Sequence, residues 1–419
     1  MTARPRPAPD KHYCVSHMDC GATGERHDPE VLHNTSRAGK PLLVRYDLER
    51  VAAAVTPADL AARDASMWRY RELLPIRRAG DIVSLGEPIT PLLALERTAK
   101  RLGGGTLLVK DESRMPTGSF KARGLAVAVS MLKSFGVERA AMPTAGNAGA
   151  ALAAYCACAD IESHIFMPDD APDVTMRETG LYGADVWRVN GLINHCGEIV
   201  AANREAMGWY DVSTLKEPYR LEGKKTMALE LAEQLGWRAP DVIFYPTGGG
   251  TGLIGMWKGF LELKELGWLK GDPPRMVAVQ STRCGPLVKA FDEGKTEVEE
   301  PWSPVTTTLH GVRVPKPFAD TLCLETMRDS GGFGSAVDDD EVEDARLEVA
   351  RADGVHLGPE GAACFVAYRQ ELARGRIGAN DRVVLFNCAS GLKSEMPAVS
   401  RTLDRHAAVT PFAGPDRDG

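Results

Sequence analysis

The sequence predicts an α/β protein with two doubly wound sheets and ligand chemistry in the cleft between them. Two observations support this fold class. From Thr106 onward, short apolar runs alternate with longer helical patterns, as they do in parallel sheets covered by helices. In addition, one apolar run leads directly into three consecutive glycines and then a helical pattern, and ligands bind at such strand ends in open α/β sheets.

The individual elements follow from these runs. The predicted strands are Thr106–Val109, Ala140–Met142, His164–Met167, Val186–Val189, Val242–Tyr245, Met276–Gln280 and Val383–Phe386. The predicted helices include Ala148–Cys158, Leu221–Leu235, Leu253–Leu266, Asp340–Ala352 and Ala362–Arg374.

A chain of 419 residues can form two or three domains. We predict a large domain from residues 81–130 and 215–400 and a small domain from residues 131–214. Residues 1–80 are expected to form an N-terminal arm, irregular up to residue 40, with a helical segment around 57–76. Residues 401–419 are expected to form a C-terminal tail.

Composition excludes several classes of function. The net charge is −7 and no basic stripe occurs, which argues against nucleic-acid binding. No apolar run is long enough to span a membrane, and the first residues lack the apolar core of a secretory signal. We therefore expect a cytoplasmic protein with a small-molecule substrate.

The nine cysteines predict free thiols, because an odd number in a long chain does not suit a disulfide framework. Cys14 and Cys20 stand near three histidines, which raises the alternative of a zinc site. Their spacing is not C-x2-C and no second cysteine pair follows, so we predict no metal.

A glycine-rich stretch follows the strand that begins at Val242. Glycines let the backbone approach an anion closely, and the start of the next helix offers unpaired N–H groups and a positive dipole end. The alternative is a tight turn without a ligand. We predict a phosphate site formed by Gly248, Gly249, Gly250, Thr251 and Gly252.

A second candidate is Lys121, which follows a Pro-Thr-Gly turn at the start of a helical pattern. Ser119 is predicted to cap this helix. The positive end of the helix dipole would lower the pKa of the lysine, as an amine that attacks an aldehyde requires. Lysines also occur at helix starts without a function, so this pattern alone is weak.

Ser119-Phe120-Lys121 resembles the cofactor-lysine motif of the fold-type-II pyridoxal-phosphate (PLP) family, a tryptophan synthase β-like fold. This family contains threonine synthases, serine/threonine dehydratases and cysteine synthases. The resemblance implies that Lys121 carries PLP as a Schiff base beside Phe120, that the glycine stretch holds the PLP phosphate, and that the large domain binds the cofactor. We also expect a homodimer.

Further segments resemble the family in the same order along the chain. The stretch from Thr144 through Ala145 and Gly146 to Asn147 is similar to the loop that receives the substrate carboxylate and whose Asn bonds the PLP 3′-oxygen. Glu360 stands in a segment similar to the one near the re face of the cofactor.

Cys388 and Ser390 stand in a stretch similar to the family's segment that contacts the pyridine nitrogen. A neutral thiol or hydroxyl cannot hold a proton on that nitrogen as a carboxylate would, so the ring would be a weaker electron sink. This favours elimination and replacement over transamination. The alternative for Cys388 is a small residue of the core.

The stretch from Ser213 to Thr226 is similar to the signature of the threonine-synthase branch. The resemblance implies conversion of O-phospho-L-homoserine and water to L-threonine and phosphate, with Lys121 abstracting the α-proton. It also implies that the substrate phosphate contacts Ser213, Thr214, Arg220 and Lys225. The alternative for Arg220 is a surface residue at a helix start.

Two departures from that branch leave other functions open. Ala145 and Ala148 replace hydroxyl-bearing residues, and Glu360-Gly361-Ala362 is more similar to dehydratases. A serine/threonine dehydratase, or another PLP-dependent elimination or β-replacement enzyme, is the alternative. A PLP-binding protein without turnover is a third possibility, against which the intact Lys121, Asn147 and glycine stretch argue.

Overall fold

The structure is a computed structural model that describes residues 8–396 and 405–406. Its strands form three sheets. They are β1 Val15–Cys20, β2 Arg26–His27, β3 Leu42–Tyr46, β4 Leu92–Ala94, β5 Leu107–Asp111, β6 Arg139–Pro143, β7 Glu162–Pro168, β8 Asp185–Val189, β9 Tyr210–Asp211, β10 Val242–Pro246, β11 Arg275–Ser281, β12 Phe333–Val337 and β13 Val383–Asn387.

Helices connect and cover these strands. They are α1 Leu48–Ala54, α2 Pro57–Ala61, α3 Glu96–Leu102, α4 Lys121–Phe135, α5 Asn147–Ala159, α6 Asp173–Leu181, α7 Ile193–Met207, α8 Tyr219–Gln234, α9 Thr251–Glu265, α10 Pro286–Asp292, α11 Asp320–Asp329, α12 Val342–Asp353 and α13 Pro359–Ala373.

The largest sheet has six strands in the order β12-β11-β10-β13-β5-β4, and only β4 at its edge is antiparallel to its neighbour. Every residue of β10 is buried, because cores lie on both faces of the sheet. Val242 and Phe244 face one core, whereas Ile243 and Tyr245 face the other. This period of two explains why the strand is apolar throughout.

The second sheet has four parallel strands in the order β8-β7-β6-β9, all within residues 139–211. All of its strands come from the segment that we assigned to the small domain. The exact domain boundaries stay a prediction, and most of the predicted C-terminal tail lies outside the described residues.

The N-terminal arm is not irregular as predicted, since β1 pairs with both β2 and β3 in an antiparallel sheet. Met18 and Cys20 of β1 are buried against the core. The prediction failed because these strands are short, and the β1–β3 pairing is interrupted by a register shift between Val15 and His17. Strand β12 was also missed, since glycine and serine dilute its apolar pattern.

The described residues were also compared with the requirements of a membrane span and of a metal site. None of the described helices combines the length and apolarity that a membrane crossing requires. Within the same residues, no three histidine, cysteine or acidic side chains are arranged to hold a metal ion. Cys14 and Cys20 are buried free thiols.

Candidate active site

A cleft of about 1610 Å³ lies between the two parallel sheets, lined by segments that follow strands of both. It brings together residues that are more than 200 positions apart in the chain. All but three of the predicted site residues line it, namely Phe120, Lys121, Thr144, Ala145, Gly146, Asn147, Ser213, Thr214, Gly248, Gly249, Gly250, Thr251, Gly252, Glu360 and Cys388.

Lys121 is the first residue of α4 and follows a tight turn after β5. Thr117 and Gly118 both adopt positive φ in this turn, at 59° and 63°. Phe120, not Ser119, is the N-cap, so the predicted serine cap is wrong. The Ser119 hydroxyl is instead buried without a hydrogen-bond partner among the described residues.

Burial and the positive charge of Arg220 lower the pKa of Lys121 to about 8, against opposing effects of Cys388 and Glu360. The direction of this shift is as predicted, but we had attributed it to the helix dipole. A substantial fraction of the amine is therefore neutral near physiological pH. Such an amine can act as a nucleophile and can accept and return a proton.

A buried ion network holds the start of α4 in place. The Arg123 guanidinium, two residues after Lys121, pairs with Glu112 at 2.6 Å and with Glu230 at 2.5 Å, and all three side chains are fully buried. Lys110 of β5 pairs with the same Glu230 at 2.9 Å. Because removing one partner of a buried pair leaves an uncompensated charge, the network restricts α4 to one position against α8.

The glycine stretch forms a backbone cup at the start of α9. Gly250 adopts a φ of 82°, which favours glycine, and a Cβ atom there would overlap the sulfur of Cys323. A Cβ at Gly249 would lie 2.7 Å from the Thr214 side chain. Side chains are therefore disfavoured at these positions, and the stretch lines the cleft at the start of a helix, where backbone N–H groups suit an anion.

Two further predicted residues, Asn147 and Cys388, line the cleft. Asn147 opens α5, and its Oδ1 atom is buried without a partner among the described residues. Burial raises the pKa of the Cys388 thiol, so this group stays neutral on the cleft wall. Ser390 does not line the cleft, and its hydroxyl accepts a hydrogen bond from the Leu392 amide at 3.3 Å.

Lys225 does not reach the cleft, so the predicted contact with a substrate phosphate is wrong. Its ammonium group pairs with Glu222 at 2.7 Å and Glu262 at 2.8 Å, and lies 3.8 Å from the centroid of the Tyr46 ring. The neighbouring Lys224 faces α4 instead and donates a hydrogen bond to the carbonyl of Phe120. Successive side chains of an α-helix are rotated by about 100° around its axis, so the two lysines point in different directions.

Arg220 is also buried, with 2% of its surface exposed, and does not line the cleft. One of its terminal nitrogens donates to the Val212 carbonyl at 2.7 Å. Its charge acts on Lys121 and on Glu217, whose pKa burial raises to about 7. Arg220 therefore neither contacts the cleft, as a ligand of the substrate phosphate would, nor lies on the surface, as the alternative predicted.

Several cleft residues were not among the predicted ones. Lys216 lies inside the Ser213–Thr226 stretch, so its charge was available as a signal. Tyr245 ends the apolar run that precedes the glycine cup. His310 stands in a stretch without periodicity and had no signal; its Nδ1 atom is buried without a partner among the described residues.

The family profile described as "Pyridoxal-phosphate dependent enzyme" matches residues 83–389, which include the lysine, the asparagine and the glycine cup. The chain belongs to this family of pyridoxal-phosphate-dependent enzymes. It is 31% identical to a threonine synthase of Methanocaldococcus jannaschii over 381 residues, covering 91% of this chain and 93% of that protein. A threonine synthase of Methanosarcina acetivorans is 32% identical over 390 residues, covering 92% and 94%.

Solved structures confirm the predicted fold type. Maize serine racemase superposes with a TM-score of 0.61 at 20% identity, over 72% of this chain and 88% of that one. The processed threonine deaminase isoform 2 of Solanum lycopersicum gives a TM-score of 0.62 at 19% identity, over 78% and 92%. The predicted PLP-dependent lyase is confirmed by the family and its threonine synthase relatives.

The residues of the cleft fit PLP. The glycine cup lines the cleft at the start of α9, and Asn147 offers a buried polar atom without a partner among the described residues. Lys121 provides an amine that lines the same cleft, with a pKa of about 8. We infer that the backbone amides of the cup would hold the phosphate and that Lys121 would hold the aldehyde carbon.

One prediction follows from the position of Arg220. Replacing it with Met removes a positive charge that lowers the pKa of Lys121, so this pKa should rise above about 8. The neutral fraction of the amine at pH 7 would then fall. The pH at which the rate of PLP attachment reaches half its maximum should therefore be higher in the variant. Stopped-flow absorbance across pH 6 to 10 measures this.

The matched control is Arg220→Lys, which keeps the charge and should leave the pH dependence of attachment near that of the wild type. An Arg220→Met protein with an unchanged pH midpoint would show that burial alone sets the pKa of Lys121.

Proposed function

We propose that this protein is a threonine synthase that converts O-phospho-L-homoserine and water to L-threonine and phosphate. The observation that carries the proposal is the 31% identity to an archaeal threonine synthase across more than nine-tenths of both chains. A match over the whole length includes the elements that surround the cleft as well as those that hold the cofactor.

The arrangement of side chains suits this chemistry. Bound PLP supplies an electron sink for charge that develops at the substrate α-carbon. Lys121 can accept and return a proton near neutral pH because its pKa is about 8. The loop from Thr144 to Asn147 ends at the start of α5, where backbone amides and the helix dipole suit a substrate carboxylate. Cys388 stays neutral and so favours elimination and replacement.

A serine/threonine dehydratase is the second candidate, and a specific observation favours it. Ala145 and Ala148 line the cleft and provide no hydroxyl group for a departing phosphate. The Glu360 carboxylate also lines the cleft and accepts a hydrogen bond from the Gly311 amide at 2.7 Å. A carboxylate at this wall would repel a dianionic substrate more than a neutral one.

An assay with competing substrates separates the candidates. Purified holoenzyme is incubated with O-phospho-L-homoserine, and released phosphate and L-threonine are quantified. Parallel reactions with L-serine and L-threonine measure keto-acid release. We expect equal amounts of phosphate and threonine from the first reaction. Keto-acid release without phosphohomoserine turnover would establish the dehydratase, and a spectral change without product would indicate a binding protein.

The predicted homodimer and cytoplasmic location stay proposals. Light scattering on a size-exclusion column would measure the mass of the assembly, against 45.3 kDa for one chain.

A further inference from the structure

The cleft wall carries a lysine that pairs with no acidic side chain among the described residues. Lys216 is partly exposed to the cleft, and its only charge-related contact among the described residues is the Phe318 ring, 5.9 Å away. Lys40 at the exposed rim is similarly without an acidic partner in the described chain. Other cleft cations are engaged: Arg313 with Asp170 at 2.7 Å, Arg346 with Glu343 at 2.9 Å, Lys393 with Glu178 at 2.5 Å, and Lys316 with the Glu299 carbonyl at 3.0 Å.

A constrained turn positions Lys216 beside the glycine cup. Its amide donates to the Ser213 carbonyl at 3.1 Å, and Leu215 between them is buried with a φ of 60°. A leucine adopts this conformation only where the surroundings impose it. In the same turn Thr214 packs directly against Gly249 of the cup. The turn therefore places Lys216 two residues away from a direct contact with the cup.

The N-terminal segment supports this turn from outside. The Asn34 side-chain amide donates to the Asp211 carbonyl at 2.7 Å and to the Lys216 carbonyl at 3.0 Å. The Ser213 hydroxyl donates to the Asp211 carboxylate, so Ser213 is less available to a substrate than predicted. Both ends of the turn are thus fixed, which leaves the Lys216 ammonium as the group that can meet a ligand.

We propose that Lys216 binds the phosphate of the substrate, the role that we had assigned from sequence to Arg220 and Lys225. This inference rests on the proposed function, which supplies a substrate with a distal phosphate. A dianion in a cleft is stabilised most by a cation that has no other partner, and an ammonium group is a compact point charge for phosphate. Arg220 and Lys225 are already engaged by protein groups.

The experiment compares Lys216→Met with Lys40→Met and Lys216→Arg in the holoenzyme. We expect Lys216→Met to raise KM for O-phospho-L-homoserine by about tenfold or more, because a hydrogen bond to a charged group is lost. Inhibition by inorganic phosphate should weaken by a similar factor. Lys216→Arg should retain most of the affinity. Lys40→Met removes the same charge at the exposed rim and should change KM by less than about twofold at 0.15 M salt.

Four outcomes would count against the proposal for Lys216 or against the proposed function. Equal effects of Lys216→Met and Lys40→Met that disappear at high salt would mean diffuse attraction and would overturn the proposal. Loss of bound PLP from a folded Lys216→Met protein would mean that the lysine serves the cofactor, which also overturns it. A Lys216→Met protein with unchanged KM and unchanged inhibition by phosphate would also overturn the proposal. If the wild type ignores phosphohomoserine but phosphate inhibits its deaminase activity through Lys216, the proposed function fails while Lys216 remains an anion site.

Discussion

Lys121→Ala is expected to lose all covalently attached cofactor. Lys121 is a cleft-lining amine whose pKa is lowered to about 8, and the glycine cup lines the same cleft. Treatment of the wild type with borohydride should fix PLP to this residue, which peptide mass spectrometry locates. The variant should show no modified peptide, and its turnover should fall by several orders of magnitude, because both the attachment point and the proton-transferring group are gone.

The control for this experiment is Lys224→Met. Lys224 is a second buried amine, 4.3 Å from the centroid of the Phe120 ring that Lys121 approaches at 4.4 Å. Burial and the charge of Lys121 lower its pKa well below the usual value, so it is chemically a competing nucleophile. We expect Lys224→Met to keep the modified Lys121 peptide. A modified Lys224 peptide in the Lys121→Ala protein would falsify the assignment.

Gly250→Ala is expected to weaken PLP binding by more than tenfold. The residue has a φ of 82°, and a methyl group there would overlap the buried sulfur of Cys323. The backbone strain alone costs about 1 kcal/mol, and the overlap forces the cup to move away from its present geometry. If the cup holds the PLP phosphate through backbone amides, as we propose, its displacement should lower affinity directly. Absorbance titration with PLP measures the dissociation constant.

Gly236→Ala is the matched control. Gly236 adopts a φ of 69° just beyond the end of α8, and a Cβ atom there would meet nothing within 4 Å. This variant carries the same kind of backbone strain far from the cup, so it should lose about 1 kcal/mol of stability and keep its PLP affinity. A folded Gly250→Ala protein that binds PLP as tightly as Gly236→Ala would place the phosphate elsewhere.

Features that depend on neighbouring residues in the chain could be predicted from the sequence. The seven predicted strands all occur, within a few residues of their expected ends, because each is a short, largely apolar run, and all but β8 have residues buried in a core. The glycine stretch and Lys121 could be proposed as site residues from patterns that are similarly local. Both lie at strand-to-helix junctions, where turn residues and helix starts act within a few positions.

The tertiary structure decided which charged side chains reach the cleft. Arg220 and Lys224 are four residues apart and share the face of α8 that packs on α4, whereas Lys225 points towards Glu222 and Glu262. Helical spacing could have indicated this separation, but not that none of these side chains lines the cleft. That depends on the close packing of α4 against α8, where the Cβ of any residue at Gly124 would meet the Arg220 carbonyl.

The role that we propose for Lys216 depends on contacts that no local pattern records. Its turn is held by Asn34, 182 positions earlier in the chain, in the segment up to residue 40 that was predicted to be irregular. Local sequence determined the strands and indicated the glycine cup and Lys121 as candidates, because these depend on short-range backbone preferences and apolar periodicity. Only the tertiary structure decided which cations are neutralised by acidic partners, because a charge is paired by whatever the fold brings within about 4 Å of it.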